Sequence, residues 1–135
     1  MNVTALKQLP STKEEIVAKI GKVANFDIFN TQVLVAKHIR PSVTKGGIHV
    51  PETVRNEDQF QGKVGLVVAL GHRAFLNDDG ELDAKWFPED ARIKLHDYVV
   101  YRASDGLDMK VNGVDCKLLK DTSIRGKVSD PDMIW

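Results

Sequence analysis

The chain has 135 residues, with 19 Lys+Arg against 19 Asp+Glu, a formal net charge of zero and 42% apolar residues. That length predicts one compact domain with modest additions, burying roughly 70% of its unfolded surface without a disulfide or structural metal. Charge balance and composition exclude a basic nucleic-acid arm and a disordered chain. No apolar run approaches the roughly 20 residues of a membrane span.

Residues 1–30 read as an appended segment. Met1 to Pro10 has no long apolar core of the signal-peptide kind. Ser11-Thr12-Lys13-Glu14-Glu15 is a doubled capping box, pairing Ser11 with Glu14 or Thr12 with Glu15. Ile16, Val17 and Ile20 follow on one face, and Gly21 is a natural stop. The pattern predicts a short helix over 12–20, too short to be stable alone. Its apolar face must dock on its own domain or on a partner, so Ile16, Val17 and Ile20 are possible assembly contacts.

Further along, β-branched residues and period-two patterning take over. Strands are expected at Gln32–Lys37, Gly62–Leu70 and Asp97–Tyr101, with Gly65 marking a bend or bulge. Arg92-Ile93-Lys94-Leu95 also alternates polar and apolar. Met109–Val111 and Val114–Leu118 flank Asn112-Gly113, the strongest short hairpin signal. Short strands with regular turns and no second helix point to an all-β barrel or sandwich. Two long loops remain, 39–61 and 71–91. The second carries Trp86 and Phe87, further candidates for assembly contacts, as is Trp135 at the C-terminus.

Candidate chemistry is sparse. Cys116 stands alone, so an intrachain disulfide is excluded; a buried small hydrophobe in a reduced, intracellular setting is expected. His38, His49, His72 and His96 show no metal-ligand spacing, and His38 and His96 are expected to be solvated or capping side chains. No nucleophile elbow, Walker A or dinucleotide fingerprint occurs. Ser104-Asp105-Gly106 reads as a turn, because a Ser beside an Asp in sequence is not a nucleophile–base pair. The acids Asp78, Asp79, Glu81, Asp83, Glu89 and Asp90 lack the order of a calcium loop and read as a solvated loop. No catalytic residue, metal ligand or cofactor site is assigned.

The most informative stretch is Thr44-Lys45-Gly46-Gly47-Ile48-His49-Val50-Pro51-Glu52. Two glycines free the backbone, Ile48 and Val50 alternate around His49, and Pro51 stiffens the end. One reading is an ordinary strand packing both side chains at home. The other is a linear segment that buries them in a partner groove.

With its surroundings, this stretch resembles the GroES-type co-chaperonins over residues 31–126. Gln32-Val33-Leu34-Val35 is similar to their opening strand, and residues 44–52 to their mobile loop. Gln61-Gly62-Lys63-Val64 through Ala69-Leu70-Gly71 is similar to their returning strand. Leu95 to Tyr101, Val111-Asn112-Gly113, Cys116-Lys117-Leu118-Leu119, Asp121 and Ile124 continue the match. The resemblance implies a small irregular β-barrel, a ring of subunits joined by edge strands, and no chemistry in the chain itself. It implies a partner-binding set of Gly46, Gly47, Ile48, His49, Val50 and Pro51. Their partner would be a chaperonin ring that binds the ATP, and the location would be cytoplasmic.

Residues 1–30, the enlarged loop 72–91 and the tail 127–135 depart from that pattern. These additions look like those of bacteriophage-encoded relatives. They raise an alternative of another class, a virion structural protein such as a capsid decoration or stabilising protein built on the same barrel. A small β-barrel enzyme or metal-binding module is a third, weaker reading. Charge is unevenly spread: residues 1–30 hold 4 basic and 3 acidic residues, 31–76 hold 6 and 3, and 77–135 hold 9 and 13. Complementary halves of neighbouring copies would steer assembly.

Overall fold

The computed structural model describes residues 12–21, 27–39, 47, 49, 51, 53, 63–89 and 92–134. Among the described residues the architecture is mostly sheet with one short helix, the expected all-β class. Helix α1 spans Lys13–Ile20. The strands are β1 (Gln32–Lys37), β2 (Val64–Leu70), β3 (Tyr98–Val100), β4 (Leu107–Val111), β5 (Val114–Lys120) and β6 (Gly126–Val128). They form one antiparallel sheet in the order β4-β5-β1-β2-β3-β6.

Helix α1 begins where the capping pattern places it. The Thr12 hydroxyl accepts from the Glu15 amide at 3.2 Å, satisfying one orphan donor. The Gly21 amide donates to the Val17 carbonyl and closes the last turn. Eight residues cannot hold a helix by backbone bonds alone, so docking decides its stability. Ile16 and Ile20 are buried with Leu34, Ala36, Val64, Leu66, Tyr98, Val114 and Cys116. Partly buried Met109, Val111 and Val128 join them, so all six strands feed one cluster.

The opposite face of the sheet carries a second cluster. Val33, Val35, Val67, Val99 and Leu119 pack there with Phe75, Tyr101 and Ile124. Successive residues of β1 therefore point alternately into two cores, and Val33, Leu34, Val35 and Ala36 are all fully buried. The hairpin between β4 and β5 turns at Asn112 (φ 49°) and Gly113 (φ 80°), the paired left-handed residues of a type I′ turn.

Two expectations change in detail. Gly65 does not mark the bulge. The β1–β2 register slips between Leu34 and Val35, where Leu34 faces Ala69 and Val35 faces Val67, leaving Val68 as the extra residue. Gly65 serves close packing instead, since a Cβ there would sit 3.0 Å from both Val35 and Tyr101. The alternating stretch Arg92–Leu95 is not a strand. The Asp97 carboxylate accepts the Lys94 amide at 2.8 Å, and the His96 amide donates to Val67, which bends the chain into a turn.

The long segment 71–91 is a loop as expected, and its described part is tightly organised. The Asn77 side-chain oxygen accepts the amides of Asp79 and Glu81, and Leu76 bridges Leu82. Phe75 holds a left-handed φ of 65°, unusual for a bulky residue. Its amide is held by the buried Asp121 carboxylate at 3.0 Å, and its ring meets Phe87 edge-on at 5.0 Å. Asp78, Asp79 and Glu81 face solvent, as the sequence suggests, and Ser104–Gly106 is a turn closed by Asp105 donating to Arg102.

Because α1 is held by docking, shortening Ile20 tests the packing directly. Ile20→Ala is expected to cost about 2–4 kcal/mol in urea unfolding of the full chain. Val17→Ala, on the half-buried side, is expected to cost less.

Candidate partner-binding segment

Strands β1 and β2 are neighbours, and the connection 40–62 leaves one and returns to the other. The His38 amide donates to the Val64 carbonyl at 2.9 Å, carrying the pairing one step past β1. The Lys63 carbonyl accepts from the Tyr101 amide at 2.9 Å. Ile39 is buried. Both ends of the connection are thus anchored at one point of the sheet.

Within the connection, Gly47, His49 and Pro51 are exposed, and Gly47 has a left-handed φ of 80°. Among the described residues a Cβ on Gly47 would meet no atom within 4 Å, and its backbone conformation favours glycine. Gly46, Ile48 and Val50 lie outside the described residues, as does Trp135.

The possible assembly contacts divide. Ile16 and Ile20 do not face outward; they are consumed by the chain's own core, because eight helical residues need that burial. Val17 is half-buried against the same cluster. Phe87 packs on Phe75, whereas the Trp86 side chain is 62% exposed beside it.

The root of the connection is rich in charge. Lys37, the last residue of β1, is buried, and its ammonium lies 2.8 Å from the Asp108 carboxylate on β4. Buried Lys117 approaches the same carboxylate at 3.5 Å, donates to the Ala103 carbonyl and lies 5.8 Å from the Tyr101 ring centroid. The hydrogen bond from Lys37 holds the Asp108 carboxyl below its usual range; partial desolvation opposes this, and the two ammonium charges reinforce it. Burial raises the Tyr101 phenol far above its ordinary range, with Asp108 adding to the effect.

His38 departs from the expectation of a solvated side chain. It is buried, its Nε2 lies 2.8 Å from Asp132 Oδ1, and its ring meets Tyr98 edge-on at 5.8 Å. The apolar context of β1 carries it inward, and a partner 94 positions away makes that burial tolerable. Spacing along the sequence gives no signal for such a pair. His96 is exposed, as expected, in a left-handed turn (φ 70°).

Among the described residues, no group of three or more His, Cys, Asp or Glu is placed to hold a metal. Cys116 is fully buried, as expected, and burial foremost pushes its thiol up to about 12, with Asp115 adding to the shift. Within the described residues, no helix is long and apolar enough to cross a membrane.

Comparison with known proteins bears on this architecture. The family model of Cpn10, the chaperonin 10 Kd subunit, matches residues 25–128. A co-chaperonin GroES of Caulobacter sp. (strain K31) is 33% identical over 97 residues, covering 72% of this chain and 90% of the relative. A co-chaperonin GroES of Maricaulis maris (strain MCS10) is 32% identical over 101 residues, covering 75% and 95%. One from Zymomonas mobilis subsp. mobilis (strain ATCC 31821 / ZM4 / CP4) is 30% identical over 105 residues, covering 78% and 99%.

Two groups described above have measurable consequences. Cys116 is expected to resist a water-soluble disulfide reagent at about pH 8 in the native chain and to react at once on unfolding. For Asp108, a folded-state carboxyl held low contributes stability above the unfolded carboxylate range, and that contribution fades as pH falls through the folded value. Denaturation profiles below about pH 4 should therefore fall less steeply for Asp108→Asn than for wild type. Equal slopes would show that the Lys37–Asp108 pair is not felt. The matched span, the antiparallel six-stranded sheet and the anchored connection between β1 and β2 agree, and the chain belongs to the chaperonin 10 Kd subunit family.

Proposed function

We propose that the chain is a non-enzymatic co-chaperonin whose segment 46–51 binds a chaperonin ring and caps its folding chamber. The observation that carries this reading is the Gly46-Gly47-Ile48-His49-Val50-Pro51 motif, set between two neighbouring strands of a sheet from this family. Ile48 and Val50 are two apolar residues that follow two glycines in the sequence. A groove on a partner that buries both gains about 1.5–3 kcal/mol for each, less the cost of ordering the segment.

Such a gain is weak for one copy and adequate for several. Strands β4 and β6 end the described strand order, so each offers one edge to a neighbouring copy. A homo-oligomeric ring built on those edges presents several segments at once, and tethering raises their effective concentration. ATP binding belongs to the larger partner in this scheme. The location that suits it is the cytoplasm, where Cys116 stays reduced.

The double variant Ile48→Ser with Val50→Ser tests the reading, since it removes both apolar side chains of the motif. In pull-down with a purified bacterial chaperonin and ADP, wild type is expected to be retained and the variant lost. Equal retention of both, or of neither, rejects the proposal.

A further inference from the structure

The family match ends at residue 128, and the described residues beyond it, 129–134, dock on the sheet. Pro131–Met133 forms a short 3-10 turn. The Asp130 side chain accepts the Asp132 amide at 3.0 Å and Pro131 is buried, so the turn is preset before its outward residue engages anything. That residue is Asp132, and it meets His38 at 2.8 Å. His38 is the point at which the connection 40–62 leaves the sheet, its amide tied to Val64 where the connection returns.

The N-terminal addition reaches the same place. The His38 ring rests on Tyr98, and the Lys13 ammonium of α1 lies 5.1 Å over the other side group of that contact, the Tyr98 ring. Burial first, then Glu14, Asp132 and Asp130, raises the Tyr98 phenol, which places both terminal additions within electrostatic reach of one aromatic ring. Two segments outside the family match, 12–21 and 129–134, thus converge on the root of the family's connecting segment.

We propose that Asp132 is a positioning residue: by holding His38 it fixes the root of the connection 40–62, so that the C-terminal tail sets how firmly segment 46–51 is presented to its partner. The affinity half of this statement rests on the function proposed above; the fixing of the root does not. A root held in one geometry spares part of the ordering cost that binding must otherwise meet. Asp132 is suited to the task because its own backbone is capped, whereas exposed Met133 in the same turn makes no such contribution.

The test uses the full chain as wild type, Asp132→Ala, Asp132→Asn and, as control, Met133→Ala. Amide hydrogen exchange is read at His38 and Tyr101, whose amides close the root, and at Leu34 and Leu119 in the cores. Loss of one side-chain hydrogen bond should speed exchange at His38 and Tyr101 roughly fivefold to tenfold in Asp132→Ala. Leu34 and Leu119 should be unchanged. Asp132→Asn, which keeps an acceptor oxygen, should restore slow exchange, and Met133→Ala should match wild type. Unchanged exchange at His38 and Tyr101, an equal rise throughout the cores, or no rescue by Asp132→Asn overturns the proposal.

Binding of the same four proteins to a purified bacterial chaperonin with ADP reads the second half. Asp132→Ala is expected to bind several-fold more weakly, with Asp132→Asn restored. If the root loosens and affinity is unchanged, the tail's influence on presentation is overturned. If exchange behaves as expected and even wild type fails to bind, the co-chaperonin reading falls while the role of Asp132 at the root stands.

Discussion

Strand β1 is the constraint on which the rest of the molecule depends. It pairs with β2 on one side and β5 on the other, and four successive residues, Val33 to Ala36, are fully buried. An antiparallel strand with one wet face would alternate polar and apolar. This one has no wet face, so something must cover each side of the sheet. Helix α1 covers one, and the segment led by Phe75, Phe87 and Ile93 helps to cover the other. The helix and the segment from Phe75 to Phe87 are therefore parts of the core. They lie where a smaller chain would expose valines and leucines.

The same strand explains why charge accumulates at its far end. Past Ala36 the run of apolar residues stops, but the flanking strands continue, so Lys37 and His38 are buried as well. Each needs a partner brought in from elsewhere: Asp108 from β4 and Asp132 from the tail. Breaking one side of such a pair leaves the other side buried and uncompensated. The polar ring around the root is the consequence of extending a core strand by two residues into a connection that has to leave the sheet.

How much of this was legible depended on range. Local signals carried well: Thr12 and Gly21 bounded the helix, Asn112-Gly113 marked the hairpin, and the valine-rich runs marked β1 and β2. Cys116 was expected to be buried and is. What failed were features decided by distant partners. The alternation in Arg92–Leu95 was overridden by the Asp97 side chain and the tie from His96 to Val67. His38 was expected to be a solvated or capping side chain; its partner Asp132 is 94 positions away. The helix face left open the choice between home and partner, and only the sheet could decide that Ile16 and Ile20 stay at home. For the candidate site, the glycine-rich motif was plain in the residue order. Its anchoring was not, since Val64, Tyr101 and Asp132 contribute through geometry alone.

The strand order β4-β5-β1-β2 also bears on the birth of the molecule. One flank of β1 is β5, which ends at Lys120, and the Asn112 side chain donates to the Ile20 carbonyl at the end of α1. On a ribosome, β1 can pair with β2 soon after residue 70 emerges, but its second flank is missing until some fifty further residues are made. Over that interval Leu34, Ala36 and the helix face lack their β5 partners and are open to solvent or to other chains. Pairing across such separations is slow even in a complete chain. The nascent polypeptide thus passes through a stage in which its central strand is half clothed, and Asp132, made later than β5, can engage His38 only after the sheet has closed around β1.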